Sequence, residues 1–113
     1  MTDIAPLSVW LLVQKQYNLR NEAMPRYQVV RSDKIDYCTA RTLKLNSNYK
    51  ILFNKSTSMS VKTLVHELAH IVAWERPDLG AKGHNTEFMH ILYTLEEVMR
   101  KLDYGSLESK LAL

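Results

Sequence analysis

Ser60-Val61-Lys62-Thr63-Leu64-Val65-His66-Glu67-Leu68-Ala69-His70-Ile71-Val72 is the stretch from which the fold and the chemistry of this chain are read. Val61, Leu64, Val65, Leu68, Ile71 and Val72 recur at helical spacing and mark a core-facing stripe. Ser60 offers a hydroxyl to a free first-turn N–H and so predicts the helix start. Pro77 cannot continue the hydrogen-bond ladder and predicts its end. His66, Glu67 and His70 fall off the apolar stripe, on an adjoining face. Residues four apart on a helix lie on one face with Cβ atoms about 5–6 Å apart. Two imidazoles placed so can converge on one metal ion at roughly 2.0–2.1 Å each. Glu67 lies one position further round, too far to be a good ligand but within reach of a water at the metal. The H-E-x-x-H run thus supplies two ligands and a general base from one helical turn.

Downstream, Pro77-Asp78-Leu79-Gly80-Ala81-Lys82-Gly83 reads as a turn-rich connection. His84 follows it, and Asn85 is placed to cap another helix, whose apolar face is Phe88, Ile91, Leu92, Leu95, Val98, Met99 and Leu102. A third metal ligand has three candidates. His84, at the junction of loop and helix, can fold back over the first helix to give a three-His site with a position open to water, the pattern of catalytic zinc. Glu87 would give a His-His-Glu site. His90 reads more simply as a boundary histidine.

Thr63-Leu64-Val65-His66-Glu67-Leu68-Ala69-His70, followed by Gly83-His84-Asn85-Thr86-Glu87-Phe88, resembles the SprT-like (Spartan-type) metalloprotease domain. That pattern is an H-E-x-x-H helix, a variable loop and then G-H-x-x-x-F. Thr39-Ala40-Arg41 and Tyr49-Lys50-Ile51-Leu52-Phe53-Asn54 stand where the family has a small-residue-plus-Arg element and the strand leading to the helix. The resemblance covers roughly Arg26 to Leu102. It implies a zincin-like α+β domain holding Zn2+ through His66, His70 and His84, with Glu67 as catalytic base. The implied reaction is peptide-bond hydrolysis by a metal-activated water, on a protein or peptide substrate bound as an added strand along a sheet edge. The third strand is the expected edge. Residue 85 is Asn where many members carry Gly. The single cysteine, Cys38, leaves no basis for the zinc ribbon often appended in the family.

Length and composition suit one modest domain over residues 1–113. Cys38 has no partner for an internal disulfide and reads as a small strand residue. No segment approaches the roughly 20 apolar residues needed to span a bilayer. The run Leu7 to Val13 lacks a basic leader and reads as a buried helix face rather than a signal peptide. A cytoplasmic protein without membrane attachment is expected.

The chain order predicts a helix from Pro6 to about Tyr17 with Leu7, Trp10, Leu11 and Tyr17 inward. Asn18 to Pro25 reads as a connection. Strands are predicted over Tyr27–Arg31, Tyr37–Leu45 and Tyr49–Asn54. Turns fall at Ser32–Asp36 and Asn46-Ser47-Asn48. Three consecutive strands between helices suggest an α+β fold: an antiparallel sheet packed on an N-terminal helix, the H-E-x-x-H helix and a C-terminal helix. In the second strand Cys38, Ala40 and Thr42 share one face. Trp74 reads as a partly buried aromatic and Glu75 as a solvated acid. Residues 1–60 carry nine Lys or Arg against four Asp or Glu, while residues 61–113 carry six against eight. The basic half, with Arg26, Arg31, Lys34, Arg41, Lys44, Lys50 and Lys55, reads most simply as a solvated sheet face, with DNA or DNA-bound protein as the alternative partner reading.

Overall fold

A computed structural model describes residues 6–31, 40–46, 48–54 and 60–101. Helix α1 (Pro6–Tyr17) leads through a 3-10 turn (Asn21–Ala23) into strand β1 (Arg26–Val30). Strands β2 (Ala40–Leu45) and β3 (Asn48–Asn54) follow, then helix α2 (Val61–Glu75), a second 3-10 turn (Pro77–Leu79) and helix α3 (Thr86–Arg100). This is the expected α+β layout. The turn at Ser32–Asp36, Tyr37 to Thr39, Ser47, Lys55 and Leu102 lie outside the described residues.

Two expectations about the sheet are corrected. The strand order is β1-β3-β2, so β3 is central rather than an edge. It pairs antiparallel with β2 but parallel with β1, so the sheet is mixed. The reason lies in the side chains. Tyr49, Ile51 and Phe53 on one face of β3 are all buried, which suits a strand covered on both flanks. β1 exposes Arg26, Gln28 and Val29, a composition suited to an edge. The tight β2–β3 connection, with Asn46 in the left-handed region (φ 57°), forces those two strands antiparallel. β1 is left to occupy the far flank of β3. Among the described residues β2 is therefore the other free edge.

α2 lies between the sheet and the other helices. Val61, Leu64, Val65, Leu68, Ile71 and Val72 are all fully buried, each removing apolar surface worth about 1.5–3 kcal/mol. Ser60 caps it as expected: its Oγ accepts from the Thr63 N–H at 3.1 Å. The helix ends at Glu75, before Pro77. There the Arg76 guanidinium donates to the Tyr17 carbonyl at 2.8 Å, tying the end of α2 to the end of α1.

α1 is rotated from the expected phase. Val9, Trp10 and Val13 are buried and Leu12 and Tyr17 pack at the margin, whereas Leu7 and Leu11 are exposed. Residues 9–13 are all apolar, so two stripes were available, and packing against α2 and α3 selected one. Among the described residues no helix is long and apolar enough to cross a membrane.

Candidate metal centre

His66 and His70 project from the middle of α2, on the face next to the buried stripe. His84 reaches them from the loop before α3. That loop is shaped by Gly83, whose φ of +55° is disfavoured for any residue with a Cβ. It is tied together by Asn85. The Asn85 Oδ1 accepts from the Phe88 N–H (2.9 Å) and the Lys82 N–H (3.2 Å), and its Nδ2 donates to the Gly80 carbonyl (3.1 Å). One side chain thus caps α3 and closes the turn that presents His84.

The three imidazoles form a nearly equilateral triangle, with ring centroids 5.1–5.2 Å apart. One ring nitrogen from each lies within 4.8 Å of the others. Beneath them sits Phe88, fully buried, with its ring 5.5, 4.6 and 5.0 Å from those of His66, His70 and His84. Phe88 reads in the sequence as a core residue of α3 and as the last member of the G-H-x-x-x-F run. It is also the floor of the triangle, which accounts for an aromatic four residues after His84.

The donor set fits a small divalent cation. The Nε2 atoms of His70 and His84 are 3.3 Å apart. Two ligands at 2.0–2.1 Å in a tetrahedral shell are separated by about 3.3–3.4 Å. Burial, then the neighbouring His84, lowers the His66 pKa, against a smaller opposing effect of Glu96. Burial and the two other rings bring His70 down to about 4. Both rings are therefore neutral near pH 7, with a lone pair to give. Glu87 and His90 are exposed on α3, and neither belongs to this cluster. They line a separate groove with Gln16 and Tyr17.

Glu67 is buried, with 7% of its surface exposed. Its Oε1 accepts from the Thr42 hydroxyl at 2.8 Å. Burial pushes its pKa up, and the Thr42 hydrogen bond offsets this only in part. Thr42 is the residue that sequence reading missed. Part of its signal was present, since it is the polar member of the strand face that holds Ala40; the approach of that strand to the helix was not. The Glu67 carboxylate, the three imidazoles and Thr42 border one open cleft of about 740 Å³, between β2, α2 and the loop of residues 81–84. Neither His90 nor Tyr93, the polar aromatic groups of α3, lines it.

The last turn of α2 departs from expectation. Glu75 is not a solvated acid. The Arg20 Nε and Nη2 donate to its two oxygens at 2.6 and 3.1 Å, and the Tyr49 hydroxyl also donates to it. Burial acts to raise its pKa, but these donors together outweigh it and hold the carboxyl below its ordinary range. Burial and the Glu75 contact push the Tyr49 phenol up to about 12. The Tyr49 ring in turn stacks on Trp74, centroids 5.9 Å apart and planes 14° from parallel.

An α+β domain with an H-E-x-x-H helix, and a third histidine folded over it from the next loop, is zincin-like. More narrowly, the chain belongs to the SprT-like family, whose sequence profile matches residues 10–108. No curated protein and no solved structure matches it.

Proposed function

We propose that this chain is a zinc-dependent endopeptidase. The observation that carries the reading is the meeting of three imidazole donors and a buried, proton-accepting carboxylate at one open cleft. His66, His70 and His84 would hold the ion. Zinc bound there would supply Lewis-acid polarisation of a carbonyl and acidify a water. Glu67 takes a proton from the attacking water and returns it to the leaving amine as the C–N bond breaks. Its raised pKa suits both transfers, since a base poised nearer to neutrality also serves as an acid. Thr42 orients the carboxylate by spending its one hydroxyl proton on Oε1.

Among the described residues the outer edge of β2 carries no paired strand, which supports an extended protein segment as substrate. Ala40, Arg41 and Thr42 of that strand line the cleft beside Glu67. Main-chain hydrogen bonding to an edge holds a substrate strand with little demand on its sequence.

Metal analysis of protein purified without added ions, paired with a Glu67→Gln variant, tests the reading. Stoichiometric zinc in both proteins is expected, with cleavage of an unfolded protein substrate by the wild type alone and loss of that cleavage on chelation. Equal cleavage by both proteins would refute the role of Glu67. Failure to retain a metal after His84→Ala and in wild type alike would refute the metal centre.

A further inference from the structure

Two unlike recesses meet at Glu67. Both are lined by Ala40, His66 and Glu67. The smaller, about 340 Å³, is completed by Lys62 and Thr63 in the first turn of α2. The larger, about 740 Å³, extends to Ala73 and Trp74 in the last turn and to Ala81 in the facing loop. Residues 63 and 74 are separated by roughly 16 Å of helix, the span of about five residues of extended chain. A strand laid along β2 would therefore present side chains to chemically different recesses on the two sides of Glu67.

Trp74 leaves 38% of its surface exposed in this cleft. Its ring is nevertheless braced. Tyr49 is buried beneath it, and its hydroxyl is anchored on Glu75, itself held by Arg20. The His70 ring lies 6.1 Å away at 37°. An exposed indole held this way is a fixed wall. Its neighbours Ala73 and Ala81 add small apolar surface and leave room. Arg41 and Lys82 border the same recess, which disfavours a cationic side chain there despite the attraction of an indole face for cations.

We infer that Trp74 is a specificity-determining residue, forming the wall of a subsite for a large apolar or aromatic substrate side chain on the side of the scissile bond nearer the C-terminal end of α2. The inference rests on the hydrolase reading above. A ring stacked against the indole gains offset aromatic contact, whereas a small polar side chain leaves the indole face uncovered, and an acidic one gives up water against the apolar walls even with Arg41 and Lys82 at the border. The Lys62–Thr63 end sets no such demand.

Two measurements test it. The first is single-position peptide series, varied on either side of the cleaved bond, with wild type, Trp74→Ala and Trp74→Phe. The expected wild-type preference for Phe or Leu over Ser, Asp or Lys, at one side only, is about tenfold or more in kcat/KM. Trp74→Ala should lose it by slowing the apolar peptides alone, Trp74→Phe should restore most of it, and Lys62→Ala should leave it intact. The second needs no turnover. The chain has two tryptophans, and Trp10 is only 1% exposed, so acrylamide quenching reports Trp74. In zinc-loaded Glu67→Gln protein, Phe-containing peptides should protect that emission and Ser- or Asp-substituted ones should not. A uniform loss across all peptides in Trp74→Ala, an absent preference in wild type, or quenching unchanged by Phe peptides would overturn the inference. Should wild type cleave nothing, the hydrolase reading fails by itself, and the quenching series still decides the subsite.

Discussion

Glu67 and Glu75 stand two turns apart on the same helix, and their surroundings drive them in opposite directions. Glu67 is buried with one hydroxyl donor, from Thr42, and its pKa is raised. Glu75 meets a guanidinium and a phenol, and its pKa is lowered despite burial. A carboxylate left short of donors holds its charge at a cost and accepts a proton readily; one with enough donors is fixed as an anion and braces what surrounds it. The first is suited to chemistry and the second to architecture. α2 joins the two: one carboxylate serves the cleft, while the other stiffens the Tyr49–Trp74 stack at its end.

Replacing each by its neutral isostere should separate the two roles, and this is the largest effect expected. Glu67→Gln should lower peptidase kcat by about 10²–10⁴-fold, the contribution usual for general acid–base groups. Its zinc content and stability should be kept or slightly raised, since a strained anion is removed. Glu75→Gln should do the reverse. It removes the charged acceptor of the buried Tyr49 hydroxyl, costing about 1–3 kcal/mol, while kcat falls little. Denaturant titration and steady-state kinetics on both variants measure this. A Glu75→Gln protein as inactive as Glu67→Gln would erase the distinction.

A second, smaller effect sharpens the comparison from the side of Glu67. Thr42→Val keeps the shape of the inward face of β2 but deletes the one donor to Oε1. Because that hydrogen bond partly offsets burial, Glu67 should rise further. The acid limb of the pH–kcat/KM profile should then move to higher pH, with a roughly tenfold fall on that side and recovery toward alkaline pH. A uniform loss at all pH would mean that Thr42 positions the backbone rather than the carboxylate.

The two carboxylates also mark what could be read from sequence and what could not. Features set within one turn were legible. These are the Ser60 and Asn85 caps, the stop before Pro77, the buried stripe of α2 and the shared face of His66 and His70. His84 was reached through its loop and the G-H-x-x-x-F spacing. Features set by partners far along the chain were not. Arg20 lies 55 residues from Glu75, so the acid at the end of α2 reads as solvated. Strand order is equally non-local: β-favouring residues mark β3 as a strand but do not say that it sits between β1 and β2. In α1 an unbroken apolar run carries no phase, so Leu7 and Leu11 could be told from Val9 and Val13 only by the helices packed on them. Thr42 needed both pieces, the strand face and its approach to α2.

The smallest effect separates the carboxylates by linkage. In the metal-free protein His70, held near 4 against an ordinary 6.5, binds fewer protons folded than unfolded between those values, so stability rises with pH there. Glu75, lowered in the fold, contributes stability that is present above its ordinary 4.5 and lost as pH falls through its folded value. Glu67 has the opposite sign. Raised in the fold, it contributes stability below 4.5 that is lost as pH climbs through its folded value. Deleting it should therefore steepen the rise: the stability of Glu67→Gln relative to wild type should grow with pH above 4.5, whereas that of Glu75→Gln should shrink as pH rises toward 4.5 and stay level above it. Urea unfolding of the three metal-free proteins across a pH series reads this directly. Parallel curves for wild type and Glu67→Gln would mean that the buried carboxylate ionises like an exposed one, and the contrast between the two acids would lose its physical basis.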